Sequence, residues 1–111
     1  MIVITSRETG RGTTEITVRG DLDSVAAVEL RRALLGVGSA AVELDLSQVE
    51  FLDCAGARTL LWADEHLRAR EGTLTVVRPS RLVMRLLRLI EFDQYLSIEW
   101  AVGAGSPAPG D

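Results

Sequence analysis

Five segments of this chain alternate apolar and polar residues with period two: Ile2–Thr5, Glu15–Arg19, Val42–Ser47, Thr73–Arg78 and Leu96–Trp100. Such alternation predicts strands with one buried face. Between the later four strands, apolar residues recur every three or four positions, the spacing of a helix face. The first of these helical stretches carries Ala27, Leu30, Leu34 and Val37 and stops at Gly36-Val37-Gly38. The second runs from about Asp53 to Glu71, with Leu60, Leu61, Asp64 and Leu67 around one side and Gly72 in the place of a C′ glycine. The third follows Pro79-Ser80, where Ser80 can cap a run holding Leu82, Val83, Leu86, Leu87 and Ile90.

The order β-β-α-β-α-β-α-β implies a hairpin followed by parallel crossovers, hence an α/β fold on a mixed, mostly parallel five-stranded sheet. In the third strand Val42, Leu44 and Leu46 point one way and Glu43, Asp45 and Ser47 the other. Parallel strands covered on both faces read instead as continuous apolar runs. The helices are therefore expected mainly on one face, with the other face wet. A dinucleotide-binding fold is disfavoured by the same pattern, and no G-x-G-x-x-G follows a strand.

Composition narrows the function. A chain of 111 residues that is 47% apolar and 25% charged is one ordinary globular domain. A net charge of -4 argues against nonspecific nucleic-acid binding, which needs clustered positive charge. Every basic residue is Arg, and Arg81, Arg85 and Arg88 gather on one segment, where they read as a solvated helix face. A single cysteine excludes an internal disulfide, the start MIVITSRETG is read as no signal peptide, and no apolar run is long enough to span a bilayer. A cytoplasmic domain over residues 1–101 is expected, with the Gly/Pro/Ala-rich residues 102–111 as a disordered tail.

Candidate chemistry is sparse. His66, the only histidine, follows Cys54 by twelve residues on one predicted helix, roughly 18 Å along its axis and about 120° around it. That excludes a Cys–His dyad within one subunit, and His66 reads as a solvated helix residue. Asp21 and Asp23 flank Leu22 just after a strand, where capping or turn formation outweighs a catalytic pair. No cluster has metal-ligand spacing and no phosphate loop is present, so no catalytic residue, metal or cofactor is assigned. Trp62 is open to two readings, partly core or an outward contact anchor.

Attention falls on the run AVELDLSQVEFLDCAG, where a strand leads through a short turn to Asp53-Cys54-Ala55-Gly56 at a helix start. Unpaired backbone N–H groups and the positive end of the helix dipole meet there. That position favours a thiolate at Cys54 while Asp53 opposes it, and an inert, buriable thiol is the alternative.

Taken in order, these pieces resemble the STAS family, named for sulfate transporters and anti-sigma factor antagonists. The resemblance spans about Ile2 to Trp100. Gly20-Asp21-Leu22-Asp23 is similar to the family's G-x-L-D element, and Leu44-Asp45-Leu46-Ser47 with Val49, Phe51, Leu52 and Asp53 to its third strand and D-S-S-G motif. Arg70-Glu71-Gly72-Thr73-Leu74 resembles the following helix-to-strand turn, and Arg88-Leu89-Ile90 through Phe92-Asp93 the last helix. The resemblance implies a β/α superhelix with helices on one face of the sheet.

It also implies a non-enzymatic module that binds a kinase-type anti-sigma factor, switched by phosphorylation of the first serine of D-S-S-G. By resemblance Cys54 stands at that serine, Ala55 at the second and Gly56 at the glycine, while Asp53 keeps the acid. Neither Cys54 nor Ala55 can be phosphorylated by a serine kinase. Ala57 and Arg58 also depart from the pattern, Arg58 bringing a bulky cation to the partner edge; Ser24 and Ser47 are nearby hydroxyls. The implied partner surface comprises Asp21, Asp23, Ser24, Asp53, Cys54, Ala55, Gly56 and Arg58, and a homodimer stays open. Alternative roles on the same fold are an accessory subunit of a membrane transporter, a scaffold in a sensory assembly, or a redox sensor using Cys54.

Overall fold

The computed structural model describes residues 2–9 and 12–99. In chain order the elements are β1 (Ile2–Glu8), β2 (Thr13–Leu22), α1 (Ser24–Leu35), β3 (Ala41–Leu52), α2 (Cys54–Ala69), β4 (Thr73–Val77), α3 (Arg81–Leu89), a 3-10 turn (Phe92–Tyr95) and β5 (Ser97–Glu99). The five strands lie in the order β1-β2-β3-β4-β5. β1 pairs antiparallel with β2, and the remaining neighbours are parallel. Trp100 and the expected tail at 102–111 lie outside the described residues.

Alternation set the layering as expected. Ile16, Val18, Val42, Leu44, Leu46, Leu74 and Val76 are buried and pack with Leu30 and Leu34 of α1, Leu60 and Leu67 of α2, and Val83 and Leu87 of α3 in one core. Glu15, Thr17, Glu43, Asp45 and Thr75, on the opposite face, stay partly exposed. Burial of the apolar half of each strand is the driving term, at about 25 cal/mol per Å² of apolar surface.

One arginine clips the open face. Arg78 follows β4 in the left-handed region at φ 48°, and its guanidinium reaches Asp45 of β3 at 3.0 Å and Glu15 of β2 at 2.9 Å. Arg7 of β1 donates to the other Glu15 oxygen at 2.9 Å. Burial pushes the Asp45 carboxyl up, but the Ser47 N–H, the Ser47 hydroxyl and Arg78 together hold it below the usual carboxylate range.

Element boundaries differ from the periodic reading in informative places. β3 continues to Leu52, well past Ser47, because it stays paired with β2 through Leu22↔Leu52 across two register shifts. At each shift β3 carries one extra residue, so its buried positions change from every second residue to Leu46, Val49 and Leu52. Asp21 consequently lies inside β2, paired with Phe51, and not after the strand. α1 stops at Leu35, leaving Val37 beyond the Gly36 cap.

The end of α2 is also corrected. Glu71, at φ 61°, takes the left-handed C′ position, and the Gly72 N–H donates to Leu67 O at 2.7 Å while the Glu71 N–H donates to Arg68 O at 2.9 Å. Gly72 is therefore C″, and its lack of a side chain serves a close approach: a Cβ there would clash with the Ala40 carbonyl at the start of β3.

Candidate interaction site

The ends of β2 and β3 deliver two helix starts side by side. Asp23 caps α1, its Oδ1 accepting from the Val25 N–H at 3.1 Å and the Ala26 N–H at 3.0 Å. Asp53 caps α2, its Oδ1 accepting from the Gly56 N–H at 2.8 Å. Extended φ/ψ at both residues lets the carboxylate fold back over its own first turn. These bonds commit both carboxylates to capping.

Gly56 locks the two starts together. It is buried, and a Cβ on it would stand 2.9 Å from Leu52 Cδ1 and closer still to the Leu22 carbonyl oxygen. The Asp53 N–H donates to that same Leu22 oxygen at 3.4 Å. The Gly20–Ser24 and Asp53–Arg58 segments thus form one continuous edge, Gly20 entering it at φ 110°.

On this edge Ser24, Cys54 and Arg58 are exposed, Asp21, Asp23, Asp53 and Ala55 are partly buried, and Ala57 turns into the core. Cys54 and Arg58 sit one helical turn apart and share a face. The thiol is solvent-facing and not the core filler that its residue type allows. Ser47, by contrast, lies at the bulge in β3 and bonds its N–H to Asp45 at 2.9 Å.

Three apolar residues flank the edge that the alternation argument passed over. Val25 is 72% exposed, Val28 51% and Phe51 48%. Val25 and Val28 lie at i, i+3 on the outer side of α1, and Phe51 precedes the Asp53 cap by two residues. Only the wheel of a helix with known ends would single out the two valines. Phe51 faces outward as continued alternation from Val42, Leu44 and Leu46 requires, the two one-residue shifts in β3 cancelling in parity before Leu52.

Trp62 is not a free anchor. Its ring stacks on His66 with centroids 5.0 Å apart and 9° between planes, and the Arg31 guanidinium of α1 lies 5.2 Å from its centroid. The stack ties α1 to α2 behind the edge. His66 is partly buried by it, with Nε2 shielded from solvent, and not a solvated residue. Among the described residues no helix is long and apolar enough to cross a membrane.

A mixed five-stranded sheet with three helices is the fold this chain shares with solved anti-sigma factor antagonists. A crystal structure of an anti-sigma factor antagonist from Mycobacterium paratuberculosis is 26% identical, with TM-score 0.81 over 100% of this chain and 96% of that one. A putative anti-sigma factor antagonist from Thermotoga maritima matches with TM-score 0.79 at 18% identity over 89% of this chain and 87% of that one. The Bacillus cell fate determinant SpoIIAA in its phosphorylated form matches with TM-score 0.69 at 18% identity over 91% and 93%. The family model described as Mlab, STAS domain, matches residues 5–99. The chain belongs to this STAS family. No curated protein sequence matches it significantly.

Proposed function

We propose that this chain is a non-enzymatic interaction module of the anti-anti-sigma type, which binds a kinase-type anti-sigma factor and so relieves inhibition of a sigma factor. The contact edge in this reading comprises Asp21, Asp23, Ser24, Asp53, Cys54, Ala55, Gly56 and Arg58, with Val25, Val28 and Phe51 beside it. One observation carries it: Cys54 stands exposed on the first turn of α2, on an edge fixed by the Gly56–Leu22 contact. Likeness over the whole chain to an anti-sigma factor antagonist supports the partner class.

Cys54 and Ala55 offer no hydroxyl there, so the module works without a serine switch and stays in its binding form. Calorimetry against the anti-sigma kinases of the source genome tests this. Binding by the wild-type protein, loss with Cys54→Asp and retention with Cys54→Ser are the expected results. Failure of every such kinase to bind overturns it.

The missing hydroxyls also favour a second reading, in which the same edge docks constitutively on a transporter's ATPase as an accessory subunit. Co-purification with a permease and its ATPase, instead of an anti-sigma factor, decides between them.

A further inference from the structure

The nine residues of α3 (Arg81–Leu89, RLVMRLLRL) contain no polar side chain except three arginines. At about 100° per residue they divide around the axis into three strips. Val83, Met84 and Leu87 form the buried strip that joins the core. Arg81, Arg85 and Arg88 form a second, at i, i+4 and i+7. Leu82, Leu86 and Leu89 form a third, one residue later at the same spacing; Leu86 packs partly against the core, while Leu82 and Leu89 face outward.

The leucine strip is out of place on a helix packed by one side only. A helix apolar on both sides normally has both covered. Leu89 is 75% exposed and Leu82 37%, and Leu86 is partly exposed. Tyr95, in the 3-10 turn that packs against α3, is exposed as well. These residues are remote in sequence from Cys54 and Arg58, and nothing in the proposed edge uses them.

The charge beside the strip says what covers it. α3 itself holds three arginines and no acid, with Arg78 before it and Glu91 and Asp93 in the turn after it, within a chain of net charge -4. Arg78 is bound to Asp45 and Glu15, and Arg88 has a partner within the fold. Arg81 and Arg85 are exposed and make no ion pair or hydrogen bond among the described residues. Two open cations along one flank of an apolar ridge call for a partner with carboxylates along one flank of its own apolar stripe. The ridge spacing of i, i+4, i+7 is that of one helix packing along another.

We propose that the outward side of α3 is a second docking surface, and that its occupant is an acidic amphipathic helix of a partner protein. Leu82, Leu86 and Leu89 meet the apolar stripe of that helix, and Arg81 and Arg85 meet its carboxylates. A second copy of this chain fits less well, since antiparallel stacking of two α3 ridges aligns their arginines. A bilayer also fits less well, because its headgroups reward cations on both flanks of the apolar strip and here one flank is the core.

The test titrates the full chain with a synthetic helical peptide bearing leucines at i, i+4, i+7 and i+11 and glutamates along one flank, followed by amide NMR and calorimetry at low salt. Shifts should centre on Arg81–Leu89 and Tyr95 and leave Cys54 and Arg58 unmoved. Arg81→Glu with Arg85→Glu should weaken binding by about tenfold or more and create binding of the matching lysine peptide. Leu89→Asp, at a site too exposed to disturb folding, should weaken it comparably. Equal affinity for the glutamate and lysine peptides, or no shift on α3, overturns the proposal. So does occupation of the ridge by phosphatidylglycerol vesicles or by a second copy in sedimentation, with no peptide binding.

Discussion

The backbone of Gly56 lies directly against the carbonyl of Leu22, leaving no room for a side chain between the first turn of α2 and the end of β2. This single approach fixes how the two capped helix starts sit together. It makes position 56 a requirement of packing before it is one of recognition.

Gly56→Ala should therefore destabilise the protein by about 1–3 kcal/mol, because the obstacle is backbone and cannot rotate away. Gly38→Ala, with nothing within 4 Å of a new Cβ, should lie near zero. Urea unfolding of the two variants makes the comparison; equal midpoints would remove the packing argument.

Capping and recognition can be separated at Asp53. Asp53→Ala strands the Gly56 N–H and should cost about 1 kcal/mol, whereas Asp53→Ser keeps an acceptor and most of the stability. If the carboxylate also touches a partner, Asp53→Ser loses affinity at nearly wild-type stability, which paired calorimetry and thermal melts will show.

Acid should loosen the open face through Asp45. Its folded-state affinity for protons is lowered, so the native state binds fewer protons than the unfolded chain, and the stability it adds is present above the unfolded value of about 3.9. That stability is lost as pH falls through the folded value. Asp45→Asn should cost about 1 kcal/mol at neutral pH, a modest figure because the Arg78 side chain is 38% exposed, and the gap to wild type should close in acid.

Asp64 should behave in the opposite sense. Burial in α2 raises its proton affinity, only partly offset by Arg68 at 2.9 Å. The native state then holds more protons than the unfolded one, so this contribution is present below about 3.9 and fades as pH rises through the folded value. Asp64→Asn should gain stability relative to wild type between acid and neutral pH, as measured by urea midpoints across that range.

Alkylation tests the exposed thiol. Because Cys54 is solvent-facing, iodoacetamide should label native protein at a rate close to that of unfolded chain, with no loss of melting temperature. The added bulk should abolish partner binding in the proposed reading. Slow labelling that waits for unfolding would place the sulfur away from the surface.

Much of this was legible beforehand. Alternation at Val42, Leu44 and Leu46 fixed the buried face of β3, and Ser80 was recognisable as a cap, now seen accepting from the Val83 N–H at 3.2 Å. Asp21 and Asp23 read as turn and capping residues, and Asp23 does cap α1. The last stretch of β3 was not legible, because two bulges change the buried period from two residues to three. The 3-10 turn at Phe92–Tyr95 was missed for want of any periodic signal in four residues.

By itself the sequence determined the layers, the helix starts and the family, since these depend on local spacing, capping chemistry and motif order. Tertiary structure decided which residues are available. Cys54 faces solvent, Trp62 is engaged by both His66 and Arg31, and Leu82 and Leu89 lie exposed beside two arginines on α3. Exposure depends on what other elements cover. No local pattern records that, because covering partners such as Leu22 for Gly56 come from distant parts of the chain.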